Sequence, residues 1–297
     1  MYKKIISVFI VLIIIYILLI YIKGILLYSP LPMIPEKYYR YFQKIFHLTG
    51  SENSNNVNNY MIKTSDNIFL DTIHIINPDK SKCIIFFHGN AGNLTIRFDM
   101  IKFLYNYASI IIFDYRSYGR STGDATSLSS HSLHKDAQAI WNFATNKLGI
   151  HPNDISLFGE SLGCAIAIEL ASKLSENMDS KFYPHSLILN APFYSLSSMI
   201  TSTFNKLNLG FLSKIVSAFV GREYCSDQWI KLINHRTKII IAHSPRDEIV
   251  PFDQGLKLYK LIANIHANTK FITLSGTHNN LGLPENYIYA LADLFDD

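Results

Sequence analysis

The sequence predicts an α/β fold in which a mostly parallel β-sheet carries helices on both faces. Short runs of branched aliphatic residues alternate along the chain with longer segments whose apolar residues recur at helical spacing. Most of the short runs are apolar on both faces, as strands inside a parallel sheet are. The chain has 297 residues, 48% of them hydrophobic, so it can bury a large core.

Eight strands are predicted, and the last six alternate with helices. The strands lie at residues 60–63, 69–76, 83–87, 109–114, 155–158, 186–190, 238–243 and 270–274. The helices lie at about 94–107, 132–148, 162–174, 253–265 and 284–294. Strand, helix and strand in repeated succession predict a layered sheet with helices on both sides. Residues 193–233 contain no strand pattern and are predicted to form an inserted helical lid.

The first residues predict a single membrane-spanning helix that stays attached to the mature chain. Residues 5–22 carry no formal charge and are long enough, as a helix, to approach the thickness of a bilayer. No small-residue cleavage site follows them, which favours a signal anchor over a removed signal peptide. We therefore predict an anchor at 1–27, a linker at 28–59 and a catalytic domain at 60–297. Lysines flank both ends of the apolar run, so the sequence leaves open which side of which membrane the domain faces.

Charge and cysteine content exclude several classes of function. The formal net charge is +4, but it is spread along the chain without a basic run, so no nucleic-acid partner is predicted. The three cysteines, Cys83, Cys164 and Cys225, are too few and too scattered for a disulfide framework or a paired-cysteine zinc site. We predict buried thiols, no metal and no organic cofactor.

A candidate nucleophile lies where the strand at 155–158 runs directly into the next helix. The connecting residues read Gly159-Glu160-Ser161-Leu162-Gly163. Such a strand-to-helix turn is strained, and its glycines relieve crowding, so the serine hydroxyl is lifted above the sheet beside a helix N-terminus. Ser161 is therefore the predicted nucleophile.

A serine nucleophile needs a base, and the base needs an orienting carboxylate. The strand at 238–243 is followed by Asp247, and the last strand is followed by His278. The carboxyl ends of neighbouring parallel strands share one edge of the sheet, so Ser161, Asp247 and His278 can converge there. The order serine, aspartate, histidine along the chain is the one this kind of turn accompanies in known hydrolases.

Other residues compete for the two supporting roles. Glu248 and Asp253 are alternatives to Asp247 as the carboxylate. Among the histidines, His88 and His243 lie on or beside buried strands and His266 closes a helix, whereas His278 alone follows the last strand. This position favours His278 as the base.

The oxyanion of an acyl-transfer reaction needs two backbone N–H donors. Leu162 N–H, directly after the nucleophile, is the first predicted donor. The second is expected in the loop His88-Gly89-Asn90-Ala91-Gly92-Asn93, where small residues let the backbone approach a substrate. We predict Asn90 N–H for this role, with Ala91 as the alternative and His88 as a structural brace of the loop.

These motifs together resemble the α/β-hydrolase superfamily, and within it the membrane-anchored Bem-like branch of α/β-hydrolase-domain proteins. The strings 88–93 and Gly276-Thr277-His278-Asn279 carry most of the resemblance. It implies the α/β-hydrolase fold, with Ser161, Asp247 and His278 as catalytic triad, and ester or thioester hydrolysis of lipids or acylated proteins. Two positions depart from the usual pattern, Ser117 and Cys164, where the family often has glycine, and neither supplies a catalytic side chain. The turn around Arg116 is predicted to be salt-bridged.

The sequence thus predicts a membrane-anchored serine hydrolase that cleaves an ester or thioester through an acyl-enzyme. A serine peptidase and a non-catalytic scaffold of the same fold remain alternatives, because fold does not determine function. The lid adds an expectation about substrate, since its apolar residues exceed what a solvated loop tolerates and can line a groove for a fatty acyl chain. These residues are Phe193, Leu196, Met199, Ile200, Phe204, Leu207, Phe211, Leu212, Ile215 and Phe219. The alternative is that all of them close the core.

Overall fold

The computed structural model describes residues 28–30, 56–176, 182–206 and 221–296, together with positions 208, 210, 213, 217 and 218. The predicted anchor and most of the predicted linker lie outside these residues. Within the described ranges, no helix combines the length and the apolar character needed to cross a membrane.

Eight strands form one sheet, and two short pairs accompany it. In chain order the strands are β1 Ser29–Pro30, β2 Val57–Lys63, β3 Phe69–Ile75, β4 Cys83–Phe87, β5 Ala91–Gly92, β6 Ser109–Phe113, β7 Ile155–Glu160, β8 Ser186–Asn190, β9 Lys238–His243, β10 Thr269–Thr273, β11 Ser275–Gly276 and β12 Leu281–Gly282. The large sheet has the order β10-β9-β8-β7-β4-β6-β3-β2. The β2–β3 and β3–β6 pairings are antiparallel and the other five are parallel, so the sheet is mostly parallel, as predicted.

Helices cover both faces of the sheet and enclose two apolar cores. They are α1 Phe98–Tyr105, α2 Ser130–Asn142, α3 Leu162–Glu176, α4 Leu196–Lys206, α5 Ser226–Trp229, α6 Phe252–Ile262 and α7 Glu285–Phe295. The first predicted helix begins as a 3₁₀ turn at Leu94–Arg97, and the second ends in a π turn at Phe143–Lys147. The largest core contains α3, of which twelve residues are buried, because this helix crosses the middle of the sheet.

The register of the parallel strands brings several strand ends to one edge. Phe87 at the end of β4 pairs with Gly159 of β7, and Glu160 pairs with Asn190 of β8. His243 at the end of β9 pairs with Thr273 of β10. The turns that follow β4, β7, β9 and β10 therefore open on the same side of the molecule, which is the arrangement that the sequence predicts.

Two parts of the predicted linker contact the sheet domain. Val57 begins β2, so the first antiparallel strand starts three residues before the predicted boundary. Ser29 and Pro30 pair with Ala91 and Gly92, and the side chain of Tyr28 is only 3% exposed within the large core. Prolines follow residues 28–30 and a stretch rich in serine and asparagine precedes Val57, so local composition did not separate these two segments from the linker.

The turn after β6 is salt-bridged, as the sequence predicts. Arg116 donates to Asp136 at 2.8 Å and to Asp66 at 2.9 Å. Because Arg116 and Asp136 are almost fully buried, the bidentate geometry offsets the desolvation of both groups. This network braces the turn and contributes no side chain to the cleft described below.

The described part of the predicted lid is helical. It contains α4 and α5 with a 3₁₀ turn at Ile230–Leu232, and its described residues contain no strand. Phe193 and Leu196 are buried in the large core, and Met199 and Ile200 pack against it while partly exposed. These four residues therefore pack on the core, and Phe204 is partly exposed. Leu207, Phe211, Leu212, Ile215 and Phe219 lie outside the described residues.

Candidate active site

Ser161 lies at the sharp turn between β7 and α3. Its backbone has φ 51°, in the left-handed region that side chains other than glycine rarely adopt. The Ser161 N–H donates to Asn190 O at 2.9 Å, which fixes this strained conformation against the next strand. The hydroxyl-bearing side chain is thereby held at the end of the sheet and at the start of a helix.

The two glycines beside Ser161 allow a close approach of backbones. A Cβ on Gly159 would lie 2.7 Å from Cys164, and a Cβ on Gly163 would lie 2.0 Å from Phe87 O. No real Cβ comes that close to a backbone atom, so only glycine fits at 163. The N-terminus of α3 consequently packs directly on the end of β4, next to the loop 88–93.

The structure brings Asp247 and His278 into contact. His278 Nδ1 lies 2.7 Å from Asp247 Oδ2. The other carboxylate oxygen accepts the N–H groups of Ile249 and Val250 at 2.9 and 2.8 Å. Asp247 is thus held by backbone on one side and presents the other side to the imidazole.

The carboxylate of Asp247 stays ionised. Burial by itself would raise its pKa, but hydrogen bonds from His243 and His278 outweigh that effect and hold the pKa of Asp247 well below its usual value. An ionised carboxylate on Nδ1 keeps the Nδ1 proton in place and leaves Nε2 of His278 free to accept another proton.

The two alternative carboxylates have other contacts. Glu248 Oε2 accepts the backbone N–H of His278 at 3.1 Å, so it holds the loop and does not contact the ring in the described hydrogen bonds. The Asp253 side chain is about half exposed and is paired with Lys257 Nζ at 2.6 Å. The geometry therefore favours Asp247 for orienting His278.

The loop that carries His278 is braced by a small ribbon. Strands β11 and β12 pair across it, joining Ser275 to Gly282 and Gly276 to Leu281. Ser244 Oγ donates to Gly276 O at 2.6 Å, which ties this ribbon to the end of β9. The imidazole is therefore positioned by a closed loop.

His243 contacts the same carboxylate, a role that the sequence analysis missed. Its Nε2 lies 3.3 Å from Asp247 Oδ2 and 3.0 Å from Val250 O. A Cβ at Gly255 would lie 2.3 Å from His243 Nδ1, so that glycine makes room for the ring. The position of His243, at the carboxyl end of its strand and four residues before Asp247, was the available signal.

The other two candidates for the base, His88 and His266, contact backbone carbonyls and not Asp247. His88 is fully buried, its Nδ1 lies 2.7 Å from Gly89 O, and burial lowers its pKa to about 3. A neutral, buried ring of this kind fits the predicted role as a brace. His266 Nε2 lies 3.1 Å from Asn234 O, at the far end of α6.

The loop 88–93 lies beside Ser161. A Cβ at Gly89 would lie 3.7 Å from Ser161 Cβ, so the peptide before Asn90 is in close range of the nucleophile side chain. Asn90 Oδ1 accepts hydrogen bonds from Tyr118 OH at 3.0 Å and from Ser29 N–H at 3.1 Å. Leu162, the first residue of α3, directly follows Ser161 and is buried.

Ser161, His278, Asn90 and Ala91 line one cleft of about 340 Å³. The cleft also contains a charged pair, in which Arg97 Nη1 lies 3.6 Å from Glu160 Oε2. Arg97 Nη2 donates to Ala91 O at 2.6 Å, which ties the loop to the 3₁₀ turn that follows it. Burial raises the pKa of Glu160, and the neighbouring Arg97 and His278 counteract part of that rise.

Apolar side chains also line the cleft. Ile96, Met100, Ile249 and Leu281 belong to its lining, and Ile96 and Ile249 are about half exposed. None of the described lid residues is among the lining residues. The apolar surface beside Ser161 therefore comes from the first helical segment and from the two loops that carry Asp247 and His278.

The residues described by the structure contain no cluster of three or more histidine, cysteine or acidic side chains that could hold a metal. The three thiols are buried, and burial raises their pKa values, so they stay protonated and unreactive. A serine and a carboxylate-oriented imidazole in one cleft can support nucleophilic attack on a carbonyl.

Comparisons with known proteins agree with the fold described above. Residues 82–182 match a family model described as the alpha/beta hydrolase fold. The chain is 57% identical over 94% of its length to uncharacterized protein R595 of Acanthamoeba polyphaga mimivirus, of which it also covers 94%. It is 28% identical over 78% of its length to protein bem46 of Schizosaccharomyces pombe, of which it covers 74%.

A more distant relative has a named activity. The chain is 29% identical over 71% of its length to the lysophosphatidylserine lipase ABHD12 of Bos taurus, and it spans about half of that protein, 53%. Among solved structures, an alpha-beta hydrolase from Vibrio vulnificus superimposes with a TM-score of 0.70, covering 90% of this chain and 96% of the other at 18% identity. At that identity the likeness concerns the fold alone.

Proposed function

This chain belongs to the α/β-hydrolase family, and on that premise we propose that it is a serine hydrolase with Ser161 as nucleophile, His278 as base and Asp247 as the orienting acid. The observation that carries the proposal is the 2.7 Å contact between His278 and Asp247 in the same cleft as the strained Ser161 turn. A scaffold protein has no need to maintain a strained serine and a buried, ionised carboxylate together.

In the first half of the reaction, His278 Nε2 takes the proton of the Ser161 hydroxyl as its oxygen attacks the acyl carbonyl. A bond forms between Ser161 Oγ and the carbonyl carbon, and the carbonyl electron pair moves onto its oxygen. Asp247 stabilises the imidazolium that forms, because its pKa stays well below the usual range. The imidazolium then protonates the leaving alcohol or thiol, and an acyl-enzyme remains.

The negative oxygen of the tetrahedral intermediate needs two donors on the side opposite His278. We assign them to the backbone N–H groups of Leu162 and Asn90, with Ala91 N–H as the alternative to Asn90. The close packing of Gly163 on Phe87 O supports this assignment, because it brings the two backbone segments together. Loss of one such donor typically lowers the rate by about 10²- to 10³-fold.

In the second half, His278 removes a proton from water, which attacks the acyl-enzyme. The same two donors stabilise the second oxyanion, and the carboxylic acid leaves as Ser161 regains its proton. No metal or organic cofactor takes part in either half.

The proposed substrate is an ester or thioester with an apolar acyl chain, in a lipid or an acylated protein. The apolar side chains of Ile96, Met100, Ile249 and Leu281 beside Ser161 support this choice, as does the activity named for the ABHD12 relative. These residues replace the predicted lid side chains as the surface for the acyl chain. For the lid at residues 193–233 we propose only that it covers the apolar core.

We propose further that residues 1–27 anchor the domain in a membrane through a single span, and that residues from about 57 onward form the catalytic domain. Such an anchor would bring the cleft near acyl chains in or on the bilayer. The full chain should then remain with membranes through an alkaline wash. Release of the intact chain by that wash would refute the anchor.

The substrate proposal is tested with p-nitrophenyl esters of two to sixteen carbons, kept below their aggregation limits, alongside thioester and peptide substrates. Each buried methylene contributes about 0.8 kcal/mol, so lengthening the acyl chain from four to eight carbons should raise kcat/KM by about a hundredfold. Ile96→Ala should reduce that gain several-fold without affecting the acetyl ester. Ile265→Ala is the matched control, because Ile265 is equally exposed and does not line the cleft. Faster cleavage of peptides, or a fall in kcat/KM beyond four carbons in all three proteins, would contradict the proposal.

A further inference from the structure

Residues 28–30, which directly follow the predicted anchor, are built into the active-site side of the domain. Ser29 and Pro30 form a parallel strand with Ala91 and Gly92 of the loop after β4. Tyr28 is 3% exposed, and its hydroxyl lies 2.6 Å from Tyr224 OH. The tripeptide therefore contacts both the loop beside Ser161 and, through Tyr224, the segment 193–233.

The contact with the loop falls on Asn90. The Ser29 N–H donates to Asn90 Oδ1 at 3.1 Å, and Tyr118 OH donates to the same oxygen at 3.0 Å. Burial raises the pKa of Tyr118 well above its usual value, so its phenol keeps the proton that it donates. One amide oxygen thus accepts two hydrogen bonds from two distant parts of the chain.

The backbone at this point needs outside support. Gly89 and Gly92 flank Asn90 and Ala91, and Gly92 has φ 88°, so the loop has more conformational freedom than a loop of ordinary residues. An oxyanion donor has to point at the reacting oxygen to within a few tenths of an ångström before the reaction begins. Fixing the side-chain oxygen of Asn90 on two donors restricts the rotation of its own peptide.

We infer that the strand Ser29–Pro30 is a positioning element of the active site, which orients the Asn90 peptide through the Ser29 N–H. This inference rests on the proposed function, in which Asn90 N–H is an oxyanion donor. It joins the anchor to catalysis, because the residue after position 27 is already part of the core that supports the oxyanion loop. The predicted linker therefore contains a catalytic support that composition alone did not reveal.

The test is a pair of substitutions at one position of the full-length chain. Ser29→Pro removes the N–H, and proline is compatible with an edge strand, whereas Ser29→Ala keeps the N–H and removes only an exposed side chain. Activity is measured on a p-nitrophenyl ester as kcat per active site titrated with a fluorophosphonate. We expect kcat at least tenfold lower in Ser29→Pro than in Ser29→Ala, with KM within twofold, because an oxyanion donor acts only in the transition state.

A second pair of variants keeps the inference testable if Ser29→Pro does not fold. Tyr118→Phe removes the other donor to Asn90 without a backbone change and should also lower kcat at constant KM. In an Asn90→Ala background, which retains the backbone N–H of residue 90, neither Ser29→Pro nor Tyr118→Phe should have a further effect beyond twofold. A purely structural role would lower the titrated site concentration and leave kcat per site unchanged.

The outcomes separate the two levels of the proposal. If the wild-type chain is labelled and active but Ser29→Pro and Tyr118→Phe keep its kcat per site, the positioning role of the strand is refuted while the hydrolase proposal stands. Additive effects of Ser29→Pro and Asn90→Ala would also overturn the inference, because they would show that Ser29 acts through another group. A wild-type chain that is neither labelled nor active refutes the proposed function and this inference with it.

Discussion

The close approach of α3 to the end of β4 can be tested by adding a single methyl group. In Gly163→Ala, the new Cβ would lie 2.0 Å from Phe87 O, 2.6 Å from Phe87 C and 2.8 Å from His88 O. Real Cβ contacts essentially never fall below 3.0 Å, so the two backbones must separate by about 1 Å. Neither partner can yield by a side-chain rotation, because all three atoms belong to the main chain.

The separation should impair catalysis more than folding. Overpacking of this kind lowers the free energy of unfolding by about 1–3 kcal/mol, and the better helix propensity of alanine returns roughly 0.5–1 kcal/mol of it. A 1 Å misplacement of catalytic groups can lower the rate by about a hundredfold. We therefore expect kcat/KM to fall about a hundredfold and the melting temperature to fall by several degrees.

The assay is kcat/KM for a p-nitrophenyl ester per titrated site, together with thermal unfolding. Gly149→Ala is the matched control, since its Cβ would meet nothing within 4 Å while its φ of +70° still penalises a side chain by about 1–2 kcal/mol. The control should lose comparable stability and keep its activity. Full activity with an unchanged melting temperature in Gly163→Ala would refute the close packing on which the oxyanion assignment depends.

Two further predictions follow from the titrating groups. Asp247→Asn should lower kcat by about 10⁴-fold because the imidazole loses its orienting charge. The control Asp253→Asn removes a half-exposed carboxylate and should keep wild-type activity. Equal losses of kcat in both variants would contradict the assignment. Burial lowers the pKa of His74 from 6.5 to about 4, so between those pH values the unfolded chain binds a proton that the folded chain does not. As the pH falls through that window, the free energy of unfolding of the wild type should fall relative to that of His74→Gln by about 1.4 kcal/mol per pH unit. Urea unfolding measures both free energies. A difference between them that does not change with pH would refute the burial argument.

The sheet could be predicted from sequence because most of its strands are apolar on both faces and alternate with helical patterns, a combination typical of a covered parallel sheet. The strands at Cys83–Phe87, Ser186–Asn190 and Lys238–His243 begin and end where the pattern predicts. The predicted helix ends agree less well with the structure than the predicted strand ends do. The predicted helix at 94–107 starts as a 3₁₀ turn, because Asn93 caps Thr95 with its side chain and tightens the first turn.

The residues after each strand could also be predicted, because parallel strands bring their carboxyl ends to one edge. That rule predicts from sequence alone that Ser161, Asp247 and His278 lie near one another. It carries no information about side chains that reach the edge from elsewhere. Arg97 lines the cleft and belongs to the helical segment after the loop. Tyr28 and Ser29 contact the same side of the domain and belong to a stretch with no periodic pattern. Such contacts depend on long-range packing, which neither composition nor local spacing records.

The groove role of the lid stays a prediction, because five of its ten apolar residues lie outside the described part of the chain. Its apolar spacing indicated burial, and Phe193 and Leu196 are indeed buried. Periodicity shows that a face is covered but not what covers it. Ile96 and Ile249 line the cleft, and hydrophobic periodicity does not distinguish a side chain that faces a cleft from one that faces the core.

The central claim is that Ser161 is a nucleophile activated by His278. The most direct measurement is mass spectrometry of the full-length protein after reaction with a fluorophosphonate, followed by peptide mapping of the adduct. We predict one adduct per chain on Ser161, no adduct in Ser161→Ala, and labelling slowed by at least 10³-fold in His278→Ala. An adduct on another residue, or labelling of Ser161 at the wild-type rate in His278→Ala, would contradict the claim.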